Sequence, residues 1–453
     1  MLKKFLTLLC LLAPLALQAQ NADMRFGTLM NEGRWFELER ARKTTPKDSI
    51  HPLLYKMATA MTHHYFNRPD SACIVLTDLL TNHQQELGDN TLNMVMLLGI
   101  NQARTDRYAE AADLMQSLYD QLTAQGVDST QTADYATLIR QWRALAPYTP
   151  LCRPLHPTGT YRLPMKTDNT MHTAKDKTSD GHFLTLDGSI NGQNSQLIFD
   201  TGSGGNIIPQ ELARQYGLRI LENNQSLSGI SRKKGQLALA DTLRIGDMAW
   251  ANVPFFVIDI RTGHAEADSI NTRMLPVIGL PIMLQMQEIQ MDFARCEFVI
   301  PATPTPNPLG ESNLLRTESE NLRLATTDGE DHPFHFHFDT GSYGTNLLPH
   351  WYARHKAEVD AIGTPDSLRT AGIGAVSITR SYRLPQMEFR IGHGTTTLQS
   401  VCVDTGIGLH DGQPQTDDYL SGEEDGVIGL DLLERFKRVI LNLKEMYMEA
   451  VAE

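Results

Sequence analysis

The 453-residue chain is poor in cysteine, has no excess of positive charge, and has no long apolar run beyond its first twenty residues. Each absence excludes something. Its five cysteines include no C-x-x-C pair, which removes the usual frame of a zinc site. With 53 acidic against 40 basic residues the net charge is −13, whereas binding a phosphate backbone takes clustered lysine and arginine, so no nucleic acid partner is expected. No later segment approaches the roughly 20 apolar residues of a spanning helix, so no integral membrane segment is expected.

The start of the chain is the exception to that apolar poverty. Met1-Leu2-Lys3-Lys4 is basic, Phe5 to Leu17 is apolar, and Gln18-Ala19-Gln20 follows. This is the layout of a signal peptide over residues 1–19, cleaved after Ala19, which implies an exported protein, periplasmic or secreted. Cys10 lies inside the apolar stretch, which argues against a lipid-modified cysteine. Cys73, Cys152, Cys296 and Cys402 remain, scattered through the chain. Three pairings are arithmetically open, and isolated buried thiols are the plain reading.

Residues 20–146 read as helical. Apolar positions recur at three and four, as in Ala109, Ala112, Leu114, Met115, Leu118 and Leu122. Three segments begin alike, at Gly33-Arg34-Trp35, Asn67-Arg68-Pro69 and Asp106-Arg107-Tyr108, as stacked helix pairs do. Three uses fit such a domain: a solenoid that binds a partner or presents a substrate, a plain scaffold, or an inhibitory pro-segment. Prolines from Pro147 to Pro164 and the polar run to Asp180 mark a linker over 147–180. A second linker over 301–318 carries the prolines from Pro301 to Pro308. Between and after them the chain reads as short strands with turn signals such as Asn191-Gly192 and Gly392-His393-Gly394. The expected class is a helical domain followed by an all-β region.

Within that region Asp-Thr-Gly-Ser occurs twice, at Asp200–Ser203 and Asp339–Ser342, each after an apolar strand-like run. A third Asp-Thr-Gly, at Asp404, shows how weak the bare tripeptide is. The surroundings separate the three. Asn206-Ile207-Ile208-Pro209 recurs as Asn346-Leu347-Leu348-Pro349, and Val277-Ile278-Gly279-Leu280 as Val427-Ile428-Gly429-Leu430. Two copies of one unit therefore run over 181–300 and 319–453, and Asp404 falls where the first copy has Asp259, at a strand end. Two carboxylates held about 3 Å apart cannot both ionise, so one serves as base and its partner as acid. Water-driven peptide hydrolysis needs such a pair.

This pattern resembles the aspartic protease superfamily of pepsins and retroviral proteases. It looks like two retropepsin-like lobes in one chain, preceded by a tetratricopeptide-like helical domain. The resemblance implies catalytic Asp200 and Asp339. It also implies that Thr201 and Thr340 lock the two loops together, that Gly202 and Gly341 permit their close approach, and that Ser203 and Ser342 hydrogen-bond the carboxylates. Flap tips are implied at Gly229-Ile230 and Gly372-Ile373, where glycine would give a mobile hairpin that closes over an extended polypeptide. Neither tip carries the tyrosine of a pepsin flap, and two residues past the rear glycine the copies differ, Pro281 against Asp431. No cofactor and no metal follow from this pattern; His332, His335 and His337 read as the exposed polar face of a strand. The implied activity is that of an endopeptidase. The other reading is an inactive interaction protein that binds extended peptides without cutting them, and pairing of the lobes between chains also stays open.

Overall fold

A computed structural model describes residues 13–169, 181–227, 233–261, 273–327, 333–372, 375–409 and 424–452. Most of the apolar leader stretch, residues 1–12, lies outside them. The chain forms two compact units, Met1–Thr132 and Ala133–Glu453, divided within the helix Ser129–Leu145. An N-terminal helical region is followed by a β-rich one. Among the described residues no helix is long and apolar enough to cross a membrane.

The first unit is built from helical hairpins. The three alike segment starts prove to be three alike turns. Gly33, Asn67 and Asp106 each take a positive φ (65°, 52° and 60°), a conformation that glycine and, less readily, asparagine and aspartate tolerate. The following arginine N–H then reaches back to a carbonyl of the preceding helix: Arg34 to Leu29, Arg68 to His63 and Arg107 to Gln102, at 2.8–2.9 Å. The next helices are Trp35–Thr44, Pro69–Asn82, opened by a proline whose missing N–H costs nothing there, and Tyr108–Ala124. Small buried residues (Ala58, Ala60, Ala72, Ala111, Ala112) let neighbouring helices approach closely around Phe26, Leu38, Leu76, Leu79 and Met94.

The second unit holds three sheets. A nine-stranded sheet is formed by residues between 153 and 278, and an eight-stranded one by residues between 314 and 428, counted among the described residues. The two repeat one pattern. In the first, Val277-Ile278 lies parallel to Ile198-Phe199 and antiparallel to Ile207; in the second, Val427 lies parallel to His337 and antiparallel to Asn346. The hairpin joining Phe183–Ile190 to Gln193–Phe199 turns on Asn191-Gly192, both with positive φ (48° and 79°), the turn whose twist matches that of the strands it joins.

The third sheet joins the halves. Its centre is Glu288–Asp292 antiparallel to Arg438–Asn442, with Gln290 opposite its own repeat equivalent, Ile440. Glu297–Ile300 and Tyr161–Pro164 extend it on one side, and Tyr447–Val451 on the other. The described part of the proline-marked segment, residues 147–169, thus contributes strands to these sheets. Arg153-Pro154 and Tyr161–Pro164 are edge strands, where a residue without an N–H is tolerated. Glu288 is fully buried at the join. It accepts hydrogen bonds from the Thr305 N–H (2.5 Å) and hydroxyl (2.8 Å) and from the Asn442 amide (2.8 Å). Cys73, Cys152 and Cys402 are buried thiols, whereas Cys296, beside the turn that precedes Glu297–Ile300, is exposed.

Candidate active site

Each apolar strand, Gln193–Phe199 and Pro333–Phe338, runs straight into its aspartate. The short parallel strand behind each loop fixes where the strand stops. The Asp200 N–H donates to the Ile278 carbonyl and the Asp339 N–H to the Ile428 carbonyl, both at 3.1 Å. The rear glycines that end those parallel strands have no room for a side chain. A Cβ on Gly279 would stand 2.3 Å from the Gly205 carbonyl oxygen, and one on Gly429 2.6 Å from that of Tyr343. Their N–H groups donate to Asn206 Oδ1 (3.1 Å) and Thr345 Oγ1 (3.0 Å). Those two supports are missed by sequence reasoning, although each stands six residues past its aspartate.

The two loops then meet each other. Thr201 and Thr340 are fully buried. The Thr201 N–H donates to Thr340 Oγ1 (3.0 Å) and the Thr340 N–H to Thr201 Oγ1 (2.9 Å). Each hydroxyl in turn donates to a carbonyl of the opposite lobe, Thr201 to Phe338 (3.1 Å) and Thr340 to Phe199 (2.9 Å). Both threonine N–H groups and both hydroxyls of the crossing are thus satisfied, which stiffens it.

The glycines show how close the approach is. A Cβ on Gly202 would lie 2.3 Å from an Asp339 carboxyl oxygen, and one on Gly341 would lie 2.6 Å from the Asp200 carboxyl carbon. Each carboxylate therefore rests over the glycine of the other motif, and both belong to one chain. The Gly202 N–H donates to Asp200 Oδ1 (2.9 Å) and the Gly341 N–H to Asp339 Oδ1 (2.8 Å). The serines do something other than expected. Ser203 Oγ donates to the Gly205 carbonyl (2.7 Å) and Ser342 Oγ to that of Gly344 (3.1 Å), so these hydroxyls stiffen the loop ends and leave the carboxylates to backbone N–H groups.

Burial holds the Asp200 carboxyl well above the usual carboxylate range, and the adjacent Asp339 charge and its hydrogen bond with Asp200 push the same way. Asp200 thus favours keeping its proton, and the side chain of Asp339 beside it is 17% exposed and so within reach of water. One acid and one base, side by side, can polarise a carbonyl and deprotonate a water molecule.

The remaining sequence-named residues lie elsewhere. Asp404 sits in the long strand Gly394–Gly408 opposite Ser381, accepting the N–H of its own Gly406 (2.9 Å). Gly229, Ile230, Ile373 and His332 fall outside the described residues. Their flanking strands are paired: Leu227 lies opposite Lys233, and Gly372 opposite Ala375. The expected exposed histidine face is corrected. His335 is half-buried and His337 is only 2% exposed, because the facing side of the strand is covered by Arg323 and Glu424, whose guanidinium and carboxylate are joined at 3.0 Å. Among the described residues no group of three or more His, Cys, Asp or Glu could hold a metal ion.

Residues 186–279, from the strand before the first motif to the first rear glycine, match the family model described as aspartyl protease. Among solved structures the chain is similar to the crystal structure of basic 7S globulin from soybean. That likeness has 11% identity and a TM-score of 0.37, and covers 66% of this chain and 96% of that one. No curated protein matches. The family match, falling on the lobe that carries Asp200 and its supporting loop, supports the aspartic protease superfamily for this chain.

Proposed function

We propose that the protein is an exported aspartic endopeptidase. The observation that carries this reading is the paired motif itself: the Asp200 and Asp339 carboxyl groups, each resting over the glycine of the other motif. In the proposed reaction Asp339 takes a proton from a water molecule as its oxygen attacks the scissile carbonyl. Asp200 gives its proton to the carbonyl oxygen, forming a tetrahedral diol. Collapse of the diol breaks the C–N bond, with the proton on Asp339 passing to the departing amine and a diol proton returning to Asp200. No covalent intermediate and no cofactor enter. The hairpins ending near Gly229-Ile230 and Gly372-Ile373 are the proposed flaps over an extended polypeptide. The helical unit is proposed, on its repeated turns, as a tetratricopeptide-like surface for a partner or substrate. Export rests on the leader-like residues 1–19, so the mature chain should begin near Gln20 on N-terminal sequencing.

The test is cleavage of a denatured protein pool. Asp200→Asn and Asp339→Asn should each bring turnover to near background, with the double variant little worse, since members of one catalytic unit are not additive. Asp404→Asn should stay within about threefold of wild type, since Asp404 is part-buried in a strand away from the pair and an asparagine oxygen can still accept the Gly406 N–H. A statine-type inhibitor, whose hydroxyl imitates the diol, should block turnover, and a chelator should not. Binding of extended peptides without cleavage would replace this reading with that of an interaction protein.

A further inference from the structure

The two lobes repeat each other around the aspartates but differ directly behind them. Two residues before Asp200 stands Ile198, opposite Thr185 in register and packed with Ile207, Ile258 and Val277 against Met274 and Leu275. Two residues before Asp339 stands His337, opposite Arg323, which donates through Nη2 to Glu424 at 3.0 Å. His337, Arg323 and Glu424 are 2%, 7% and 4% exposed. Nε2 of His337 lies 4.0 Å from Oδ2 of Asp339. Taking an ion pair out of water is costly before its attraction is counted, and the first lobe shows that an uncharged filling serves the same place. The polar filling therefore has a use other than packing.

We propose that His337 is a positioning residue of the carboxylate pair, its Nε2–H dipole aimed at Asp339 so that this carboxyl, and not Asp200 with its uncharged backing, serves as the member that takes the proton from water. The inference rests on the pair being a working dyad. At 4.0 Å the contact is longer than a hydrogen bond and acts as an oriented dipole at low dielectric. The ring must be neutral for this. Burial holds it below the usual histidine range, with Arg323 acting in the same sense and Asp339 and Glu424 opposing. The charged and titratable groups around the ring are His335 on its own strand, Asp339 just past that strand's end, Arg323 on the neighbouring strand Leu322–Thr327, and Glu424 and Asp425 on the segment entering Gly426–Ile428. Asp425 is itself paired with Arg354 of the helix Pro349–Ile362, and Asp200 lies across the pair. Arg323 and Glu424 carry opposite charges and are paired, and the imidazole dipole adds to the Gly341 N–H that already donates to Asp339 Oδ1. Unequal surroundings of this kind separate the acid from the base within a pair.

The test compares His337→Ile, which copies the first lobe, with His337→Gln, whose amide places an N–H near the position of Nε2. Losing the dipole makes ionised Asp339 harder to form. In His337→Ile the acid limb of the kcat/KM profile should therefore rise by about one pH unit, while KM at the optimum changes little. His337→Gln should bring the limb most of the way back. An unshifted limb in folded His337→Ile, or equal profiles for the two variants, would overturn the proposal. If His337→Ile does not fold, as judged by circular dichroism, His337→Asn is read in its place, its shorter amide falling short of Asp339. Titration of 13C-carboxyl aspartate by NMR in the full-length protein needs no turnover, and an Asp339 ionisation unchanged by the substitution sinks the positioning role on its own. Wild-type cleavage that survives Asp200→Asn and Asp339→Asn sinks instead the dyad on which the inference stands.

Discussion

Asp200 gives a stability prediction whose sign can be worked out. Its folded-state pKa is raised above the unfolded value, so between the two the native protein holds a proton that the unfolded chain has released. Stability contributed by that proton is fully present below the usual carboxylate range, near pH 4, and is lost as pH rises toward the folded value. Asp200→Asn removes the dependence. It also ends the contest of two carboxylates for one site, while its side-chain oxygen still accepts the Gly202 N–H. The variant should therefore be inactive yet melt at a higher temperature than wild type near neutrality, and the difference should close below about pH 4. Calorimetry between pH 3 and pH 8 measures it, and a variant less stable than wild type at pH 7 would mean that Asp200 is ionised in the native state.

At the scale of elements, the join between the lobes has an equally specific weak point. Glu288 occupies the start of a central strand of the shared sheet and is wrapped by Thr305 and Asn442. Glu288→Leu would leave the Thr305 N–H and the Asn442 amide without that acceptor, at a cost of roughly 2–4 kcal/mol. Urea unfolding should show the loss, and a midpoint equal to wild type would mean that those donors find other acceptors. This join also marks where sequence reading ran out. The alternation of Phe334, Phe336 and Phe338 announced a strand, and the recurring Arg34, Arg68 and Arg107 announced repeated helix starts, because each signal is local. That Glu288–Asp292 and Arg438–Asn442 are equivalent in the repeat was visible. That they lie beside each other was not, since equivalence says nothing of adjacency. Prolines 154 and 164 read as linker because proline ends strands in general, but an edge strand needs no N–H from them. His337 read as exposed because its cover is distant in sequence: Glu424 and Arg323 stand 101 positions apart. Placing the residues before the two aspartates side by side, Ile198 against His337, was the signal that could have exposed it.

At the scale of the whole β-rich unit, the crossed threonines and the shared sheet place both aspartates in one chain. Mixing Asp200→Asn protein with Asp339→Asn protein should therefore restore no cleavage, even after joint refolding at high concentration. Lobes that paired between chains would rebuild about one intact dyad in four by random assortment, an outcome that activity against a fluorogenic peptide would detect at once.

The reciprocal seating of the carboxylates also bears on how such a chain can vary through inheritance. Duplicated segments ordinarily drift apart, each answering only to its own surroundings, as Ile198 and His337 have done. The two tetrapeptides are identical, and each is the surroundings of the other: a methyl group added at Gly202 strikes Asp339, and one added at Gly341 strikes Asp200. A codon change in either copy is thus felt first by its twin, 139 positions away along the chain. For the purposes of descent the aspartate, threonine and glycine of both copies behave as one site of six residues, whereas the lobes that carry them are at liberty to become two different proteins.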